Sequence, residues 1–278
     1  MLSNNNSMLI LTKEEYFELQ DFINENYGFQ IPSIIKVEME ISRLLTIHKF
    51  HDFATYFRES INNPNGIYLS DLISALSNHY TFFNREIYQF NFLLEKGFSE
   101  IISHKEMNKN LKLNFLSVGC SSGEEPYTLS IFFEEYLKSR ITRIDYQVDG
   151  IDLSLKMVQK ARSGEYQIDY LRGIDADKLS KYFTYKESTS TYTILERIKN
   201  SCTFTDISLQ KFKPTVKYDC VFCRNVLIYY QKKVVVKLID ILIDFLEKDG
   251  YLFLGGAEIV DYKSSKVKYV GQSTYQKL

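Results

Sequence analysis

Cysteine and histidine are scarce in this chain, with four of each in 278 residues. Four cysteines do not make the disulfide framework of a small secreted domain. The pair in "CVFC", Cys220 and Cys223, stands in an apolar strand-like run. Because a spacing of three points the two side chains to opposite faces of a strand, we expect buried free thiols there. The histidines form no metal signature, so no metal site is expected.

Long hydrophobic runs and an excess of basic charge are also missing. No apolar stretch approaches the length of a membrane span, and the opening "MLSNNNSMLILTKEE" lacks the basic start and long apolar core of a signal peptide. With a formal net charge of −1, the chain as a whole shows no nucleic-acid footprint. We therefore expect a soluble cytoplasmic protein, with no nucleic-acid partner and no direct insertion into a membrane.

The residues that are present describe an ordinary globular protein whose first part is helical. Hydrophobic residues make up 45% and charged residues 25% of the chain, and 278 residues allow one large domain or two modest ones. A capping box formed by Thr12 and Glu15 starts a predicted helix that Gly28 ends. Further helices are predicted at about 35–47, at 53–61, from about 70, and at 85–98.

The pattern changes near residue 111, where strand-like and helical runs begin to alternate. Strands are predicted at 111–118, 144–152, 218–223 and 250–255, with helices at 125–138, 155–162 and 232–247 between them. Such alternation indicates parallel βαβ units and an α/β fold with a doubly wound, mostly parallel sheet. Residues 182–204 are typical of an antiparallel hairpin inserted in that sheet domain. We predict a small helical domain over 1–80 and the sheet domain over 81–278.

The stretch "SVGCSSGEEPYT" (117–128) directly follows the first predicted strand of the sheet domain. Gly119 and Gly123 allow a tight turn and a close approach of a ligand to the backbone. Ser122 and Glu125 have the spacing of a capping box, so a well-capped turn into a helix is one interpretation. That interpretation does not explain why a second carboxylate, Glu124, stands beside Glu125.

Two other predicted strands also end in polar residues. An acid at the position of Asp152 accepts hydrogen bonds from ribose hydroxyls in dinucleotide-type folds, although a turn residue before a helix capped by Ser154 is an equal alternative. The run "CRNVLIYY" (223–230) places Asn225 and Tyr229 at a third strand end. Because ligands in open α/β sheets bind outside the carboxyl ends of the strands, we expect these groups to converge on one crevice.

The nature of the loop narrows the class of ligand. It has no GxxxxGK[ST] pattern and no lysine follows it, which disfavours a nucleoside triphosphate. Its carboxylates repel phosphate and suit a ligand with a positive centre. This electrostatic argument favours S-adenosylmethionine over a nicotinamide dinucleotide.

Three of these stretches, "CSSGEEPYT", "GIDLSLKMVQKARSGEY" and "CRNVLIYY", closely resemble the chemotaxis receptor methyltransferases, which methylate protein glutamates. The stretch "ALSNHYTFFNRE" (75–86) looks like the segment that joins their helical N-terminal domain to the catalytic domain. The resemblance implies a Rossmann-like class I methyltransferase domain over 81–278 with S-adenosylmethionine as cofactor and S-adenosylhomocysteine as product. It further implies methyl esters on chemoreceptor cytoplasmic helices as the product of the reaction, and a receptor C-terminal tail as a candidate partner of residues 182–207.

The resemblance also assigns site residues by position. Arg85 and Tyr229 are the implied catalytic residues, Arg85 because a guanidinium matches a carboxylate bidentately and Tyr229 because it lies near the transferred methyl group. Glu125 is implied to meet the amino group of the methionine part, and Asp152 the ribose. The implied cofactor-binding set is His79, Thr81, Arg85, Gly119, Glu125, Asp152, Ser208, Leu209, Asn225 and Val226.

Some positions depart from the family pattern. His79 and Ser208 stand where many members have asparagine, and Gly256 interrupts a "GHSE" pattern. The second helix, basic in the family, carries Lys36 and Arg43 but also two glutamates, so its charge nearly cancels. Two alternatives therefore remain. The chain is a methyltransferase of another protein or of a small molecule, or it is a non-catalytic regulatory module that binds S-adenosylmethionine.

Overall fold

The structure is a computed structural model that describes residues 11–64, 66–107, 112–138, 140, 144–258 and 264–278. Its first part is helical, as predicted, and contains α1 (Lys13–Tyr27), α2 (Ile34–His48), α3 (Phe53–Asn62) and α4 (Ile67–Leu76). These helices enclose an apolar core of their own, in which Leu19, Ile41 and Leu72 are fully buried. The amphipathic spacing seen in the sequence is thus the spacing of the buried faces.

Both ends of α1 confirm the capping prediction. The hydroxyl of Thr12 accepts the N–H of Glu15 at 3.1 Å, and the Glu15 carboxylate accepts the N–H of Thr12 at 2.8 Å. Gly28 ends the helix with φ 78°, and a Cβ there would lie 2.7 Å from Nε2 of Gln210. A glycine is needed at this position for its backbone angle and also because the helix end packs against the second part of the chain.

The helix predicted at 85–98 is longer than expected and starts later. It comprises α5 (Ile87–Phe92), a π-helical turn (Leu93–Gly97) and α6 (Phe98–Met107). Asn84 and Glu86 have φ values of 61° and 53°, which delays the helix start. Gly97 does not end the helix; a Cβ there would lie 2.6 Å from Cδ2 of Leu93, so the glycine serves close packing.

The remainder of the described chain alternates strands and helices. In chain order these are β1 (Lys112–Val118), α7 (Glu124–Leu137), β2 (Asp145–Asp152), α8 (Leu155–Ser163), β3 (Glu165–Tyr166), α9 (Ala176–Tyr182), β4 (Phe183–Lys186), β5 (Thr191–Ile194), α10 (Glu196–Lys199), β6 (Cys202–Asp206), β7 (Tyr218–Cys223), α11 (Lys232–Phe245), β8 (Leu246–Leu254), β9 (Val267–Gly271) and β10 (Thr274–Lys277).

Seven of these strands form the main sheet in the order β6-β2-β1-β7-β8-β10-β9. Every neighbour pair from β6 to β8 is parallel, and β10 and β9 are antiparallel. The predicted α/β fold with a doubly wound, mostly parallel sheet is therefore confirmed. The chain order reverses direction between β1 and β7, so the carboxyl ends of these two strands flank the switch point where ligands bind in such folds.

The two faces of the sheet bury separate apolar clusters. On β7, Cys220 belongs to the cluster under α7, whereas Cys223 belongs to the cluster under α11. Both cysteines are free and fully buried, as the spacing in "CVFC" predicted. The Phe222 ring stacks on Phe253 with centroids 4.3 Å apart and on Phe90 at 5.4 Å. Strand β7 is buried along its whole length, which accounts for the apolar run from Cys220 to Cys223.

The predicted antiparallel hairpin is present, with one correction to its extent. Strands β4 and β5 pair antiparallel and, with β3, form a separate three-stranded sheet in the order β3-β5-β4. The residues of β6, however, form an edge strand of the main sheet that runs parallel to β2. The inserted unit therefore ends before Cys202, and the predicted limits near 204–207 were wrong.

The C-terminal hairpin of β9 and β10 was not predicted. Its two turn residues, Gln272 and Ser273, both have φ 53°. Two-residue hairpin turns of type I′ need such positive φ values at both positions, and Asn-Gly is the sequence that usually signals them. A Gln-Ser turn gives no such signal, and β9 is too exposed to show an apolar run.

The helical part and the sheet part contact each other closely. Phe29 and Tyr230 form an antiparallel bridge, and the N–H of Gln30 donates to the carbonyl of Tyr229 at 2.8 Å. The hydroxyl of Ser154 bonds that of Ser74 at 2.8 Å. The division into domains at residues 80 and 81 stays a prediction, as does the assignment of residues 1–10, which lie outside the described residues. Within the described ranges, no helix is both long and apolar enough to span a bilayer.

One buried ion pair ties α6 to the end of the sheet opposite the switch point. Nζ of Lys105 lies 3.1 Å from Oδ1 of Asp219 on β7, and the two side chains are only 10% and 3% exposed. The other carboxylate oxygen accepts the N–H of Asn114 at 2.8 Å. Removing the lysine would leave the carboxylate buried without its counter-charge.

We therefore predict that Lys105→Ala lowers the free energy of unfolding by about 3–5 kcal/mol, the usual cost of breaking a buried pair from one side. The measurement is urea denaturation of the intact chain. Lys96→Ala is the matched control, because its ion pair with Glu100 is solvent-exposed and should contribute about 0–1 kcal/mol. Equal effects of the two substitutions would show that the buried pair does not stabilise the fold.

Candidate active site

A cavity of about 500 Å³ opens at the carboxyl ends of β1, β2 and β7. This volume is within the usual range for a site that binds a small molecule. Every site residue predicted from the sequence except Ser208 contributes to its wall. The other side of the cavity is formed by the helical part, through the segment 29–32 and Lys36 of α2.

The loop after β1 brings the backbone close to the cavity. Gly119 has φ 68° and its N–H donates to the carbonyl of Ile151 at 2.8 Å. A Cβ at this glycine would lie 2.5 Å from Cγ2 of Val226, so any larger residue would displace the opposite wall. The two neighbouring strand ends can therefore approach each other only because Gly119 has no side chain.

The predicted capping box of Ser122 and Glu125 was wrong. Gly123 occupies the N-cap position of α7 with φ 94°, outside the extended conformation that a side-chain cap requires. The Ser122 hydroxyl instead bonds both carboxylate oxygens of Glu124 at 2.8 Å. Glu124 is fully buried, burial raises the pKa of its carboxyl, and it is not part of the cavity wall. Of the two adjacent glutamates, Glu125 alone lines the cavity.

Asp152 ends β2 and is 8% exposed. Its Oδ2 accepts the N–H of Ser121 and its Oδ1 the N–H of Ser154, at 2.8 and 2.9 Å. Ser154 also caps α8 through Met157, so the turn role foreseen for this position is present alongside the cavity contact. Burial raises the pKa of the Asp152 carboxyl, against the opposing effect of these hydrogen bonds. Each carboxylate oxygen keeps a further lone pair with which to accept a ligand hydroxyl.

Glu125 is supported by a residue that the sequence analysis did not place in the site. Its Oε1 accepts the Ser117 hydroxyl at 2.7 Å, and its Oε2 accepts Nε of Arg224 at 2.6 Å. The Arg224 side chain is 2% exposed and donates in addition to the carbonyl of Arg85 at 2.8 Å and to Gln89 at 3.1 Å. The available signal was the interruption of the apolar run in "CRNV" by an arginine.

The loop after β7 contains both a strained residue and an unsatisfied atom. Asn225 has φ 58°, and its buried Oδ1 has no hydrogen-bond partner within the described structure. The next two N–H groups, of Val226 and Leu227, donate to Oε1 of Glu258 at 2.8 and 2.6 Å, and its Oε2 accepts the N–H of Gly255 at 2.6 Å. Glu258, the acid of "GGAE", was also missed as a site residue.

The segment 77–86 supplies the remaining predicted residues. Nε2 of His79 lies 2.8 Å from the carbonyl oxygen of Ser74 and so points toward α4, while the carbonyl of His79 accepts the hydroxyl of Ser121 at 3.1 Å. Thr81 lines the cavity. Nη1 of Arg85 donates to the carbonyl of Tyr80 at 2.7 Å. The neighbouring Glu86 pairs with Arg224 at 3.5 Å.

Tyr229 lies where the helical part and the sheet part meet. Its hydroxyl accepts Nδ2 of Asn78 at 2.8 Å, and its ring packs against the core of the helical part. Leu209 lines the cavity and is buried. Ser208 faces away, and its hydroxyl accepts the N–H of Lys211 at 3.3 Å, which closes the turn after β6. A ligand contact of the Ser208 side chain is thus not supported by its position.

The cavity suits a ligand that has hydroxyl groups, an amino group and an apolar part. Asp152 and Glu125 offer acceptors, the unpaired Oδ1 of Asn225 offers another, and Leu209 and Val226 offer apolar surface. These are the groups that S-adenosylmethionine requires, so the residues present fit the cofactor that the resemblance implies. Among the described residues, no cluster of His, Cys, Asp and Glu has the arrangement of a metal site.

Comparison with known proteins gives a consistent result. A family model described as "CheR methyltransferase, SAM binding domain" matches residues 79–276. A chemotaxis protein methyltransferase of Borreliella burgdorferi is 29% identical over 271 residues, which cover 96% of this chain and 95% of the relative. Chemotaxis protein methyltransferase 2 of Vibrio cholerae is 26% identical over 92% of this chain and 89% of the relative. Chemotaxis protein methyltransferase 1 of Pseudomonas aeruginosa is 31% identical over 68% and 69%, respectively.

We predict that Glu258→Gln lowers the free energy of unfolding by about 1–3 kcal/mol, the cost of leaving a buried N–H unpaired. Three N–H groups converge on the carboxylate, and an amide nitrogen would place a donor against at least one of them. Chemical denaturation measures the effect, with Glu95→Gln on the exposed side of the π-helical turn as the control. A Glu258→Gln protein as stable as this control would contradict the role assigned to Glu258.

Proposed function

This chain belongs to the CheR methyltransferase family, and on that premise we propose that it transfers the methyl group of S-adenosylmethionine to glutamate carboxylates of chemoreceptor cytoplasmic helices. Methyl transfer from S-adenosylmethionine in chemotaxis is the activity that the family match and the relatives support. The glutamate acceptor is the finer step that we propose. The observation that carries it is a cavity whose wall contains two carboxylates, those of Glu125 and Asp152, together with the guanidinium of Arg85.

The acceptor chemistry needs little from the protein besides position. Bound S-adenosylmethionine would supply a methyl group on a sulfonium; a carboxylate oxygen would form the new carbon–oxygen bond as the carbon–sulfur bond breaks, and S-adenosylhomocysteine would leave. A glutamate side chain is already ionised at neutral pH, since its ordinary pKa is about 4.3, so no general base is required. Holding the acceptor in line and excluding water can remove roughly 7–11 kcal/mol of barrier.

The residues proposed to bind the cofactor occupy different sides of the cavity. Asp152 would accept the ribose hydroxyls through its remaining lone pairs. Glu125 would accept the amino group, and its ion pair with Arg224 orients its carboxylate for that contact. The buried Oδ1 of Asn225 would accept a hydrogen bond from the ligand, beside the apolar surface of Leu209. His79 contributes to the wall mainly through its backbone, because its ring is already bonded to Ser74. The family pattern also assigns Thr81, Gly119 and Val226 to this set.

Arg85 is proposed to orient the acceptor carboxylate. Its guanidinium uses Nη1 for the Tyr80 carbonyl and lies 5.6 Å from the centroid of the Tyr80 ring. The remaining N–H groups of this planar donor are available for a bidentate bond with a carboxylate. Its role is placement, because strong neutralisation of the nucleophile would slow its attack. Tyr229 is proposed to limit the acceptor position from the other side of the cavity.

The surface of α2 leaves a second candidate, a methyltransferase of another protein or of a small molecule. Arg43 pairs with Glu40 through Nη2 at 3.1 Å, and Glu38 accepts the N–H of Leu11. Ile35 and Met39 are 63% and 58% exposed on the same helix. This helix therefore does not present the basic surface that the family pattern uses against acidic receptor helices.

The three-stranded sheet is proposed as a contact for a receptor tail. Strand β4 is the last strand in the order β3-β5-β4, and Tyr185 on it is half exposed beside Tyr192. An extended peptide can add to an edge strand of this kind. The proposed substrate, a cytoplasmic receptor helix, also places the reaction in the cytoplasm.

The proposed function predicts that tritiated methyl label moves from S-adenosylmethionine to receptor cytoplasmic fragments and is released by mild base, as a methyl ester is.

Arg85→Ala should lower kcat/KM at least about tenfold, because a bidentate charged hydrogen bond is lost, while the free energy of unfolding changes little. Arg58→Ala, an exposed arginine on α3, is the control. Cofactor binding without any label transfer would support the alternative that the chain is a non-catalytic regulatory module. An Arg85→Ala protein with full activity would remove Arg85 from the catalytic residues.

Asp152→Ala should weaken S-adenosylhomocysteine binding by more than about tenfold in calorimetric titration, because two ribose hydroxyls lose a charged acceptor. Asp206→Ala is a close control, since Asp206 is the partner of Asp152 on β6 and is exposed. Thermal unfolding of each variant checks that the loop after β1 remains folded.

The same carboxyl gives a pH dependence of binding. Burial raises the pKa of Asp152, and ribose hydroxyls favour its ionised form, so the affinity should be lost as the pH falls. The loss should begin above the ordinary aspartate range of about 4. An affinity of the parent protein that is constant down to that range would argue against the ribose assignment.

A further inference from the structure

A second concavity of about 580 Å³ adjoins the cavity and is not used by the cofactor contacts above. We call it the flanking groove; one wall is the segment 79–82 and the other is Asp169, Tyr170 and Arg172. It shares His79, Tyr80 and Thr81 with the cavity wall, so the two openings are continuous.

The walls of the flanking groove are joined to each other. The N–H of Phe83 donates to the carbonyl of Tyr170 at 3.3 Å, and Nδ2 of Asn84 donates to the carbonyl of Gly173 at 2.6 Å. The Phe83 ring is fully buried beneath this junction. The groove is therefore preformed, and a ligand would not have to order it.

The exposed groups of the flanking groove are aromatic rings and the ion pair of Arg172 with Asp169. Tyr80 is 69% exposed, and its ring contacts that of Phe82 at a centroid distance of 5.7 Å. Arg172 and Asp169 form an ion pair at 2.8 Å, but their side chains are 76% and 72% exposed. An exposed pair of this kind contributes little, so an incoming carboxylate can replace Asp169 as the partner of Arg172. Nζ of Lys160 lies 3.8 Å from the centroid of the Tyr170 ring.

We propose that the flanking groove binds an acidic segment of the protein substrate next to the acceptor glutamate, with a substrate carboxylate on Arg172 and apolar stems on Tyr80 and Phe82. This inference rests on the proposed function, because an acceptor on a polypeptide must carry its neighbouring residues across the rim of the cavity. Tyrosine and arginine are also the residue types that contribute most at protein interfaces. The cations at this rim, Arg172 with Arg85 and Lys160 nearby, match an acidic chain.

The test measures methyl transfer to a receptor cytoplasmic fragment, with the full chain and with labelled S-adenosylmethionine. Arg172→Glu should raise KM for the fragment at least about fivefold, while kcat and the Kd for S-adenosylhomocysteine stay unchanged. Asp169→Asn should lower KM, because it removes a carboxylate that competes for Arg172; a merely structural role would not produce this opposite sign. Lys248→Glu makes the same charge change on an exposed lysine of β8, distant from the carboxyl ends of the strands.

The outcomes separate this inference from the function on which it rests. A parent protein that labels no receptor fragment overturns the proposed function, and the groove assignment with it. Normal labelling by the parent, with Arg172→Glu indistinguishable from Lys248→Glu, overturns the groove assignment alone. A loss of S-adenosylhomocysteine affinity in Arg172→Glu also overturns it, since the residue would then act on the cofactor site. A raised KM for Arg172→Glu and a lowered KM for Asp169→Asn support it.

Discussion

At the carboxyl end of β7 the guanidinium of Arg224 is buried, with only 2% of its side chain exposed and with the ring centroids of Phe90 and Phe222 at 5.1 and 5.7 Å. A buried cation is tolerated only when it is paired and fully hydrogen-bonded. Here Arg224 pairs with the carboxylates of Glu125 and Glu86, and it donates to the Arg85 carbonyl and the Gln89 side chain. One planar group thus fixes the distance between the carboxylate on the sheet side and the segment that carries the candidate catalytic arginine.

The backbone around the cavity is strained in a way that fits this constraint. Asn84, Glu86, Ser121 and Asn225 all have positive φ values, which residues other than glycine seldom adopt. Each of them has a specific contact. The Asn84 side chain donates to the carbonyl of Gly173, Glu86 pairs with Arg224, and the N–H of Ser121 donates to Asp152. The two N–H groups after Asn225 donate to Glu258. Strain of this kind persists only where surrounding structure enforces it, and here it pre-organises the walls before a ligand binds.

The two sides of the cavity rim differ in character. On one side α2 supplies Lys36 to the wall, but its other charges are engaged with each other or with the backbone, and its exposed surface is partly apolar. On the other side the segment 79–82 and Arg172 form a continuous aromatic and cationic surface. The basic charge that the family pattern places on the second helix is therefore weak in this chain. Across the rim, Arg172 supplies a cation.

The fold class and most of the candidate site could be predicted because both depend on local patterns. Alternating apolar periods define parallel βαβ units, and all parallel strands end at one edge of the sheet, so polar residues at the strand ends must lie together. This reasoning placed Asp152, Asn225 and the loop of Gly119 beside one cavity. The same reasoning did not predict the C-terminal hairpin, because a Gln-Ser turn lacks the glycine and asparagine that usually mark positive φ.

The sequence by itself thus determined the alternation of the central strands and helices and the edge of the sheet at which the site lies. Only the tertiary structure showed why the two adjacent glutamates differ: Glu125, which the resemblance assigned to the ligand, faces the cavity, and Glu124 is buried against Ser122. It alone also identified Arg224, whose bond to Glu125 joins positions 99 residues apart. The physical reason is that periodicity encodes the direction and burial of a side chain along its own element. The partner of a buried charge depends instead on distances between elements, which exist only once the chain has folded.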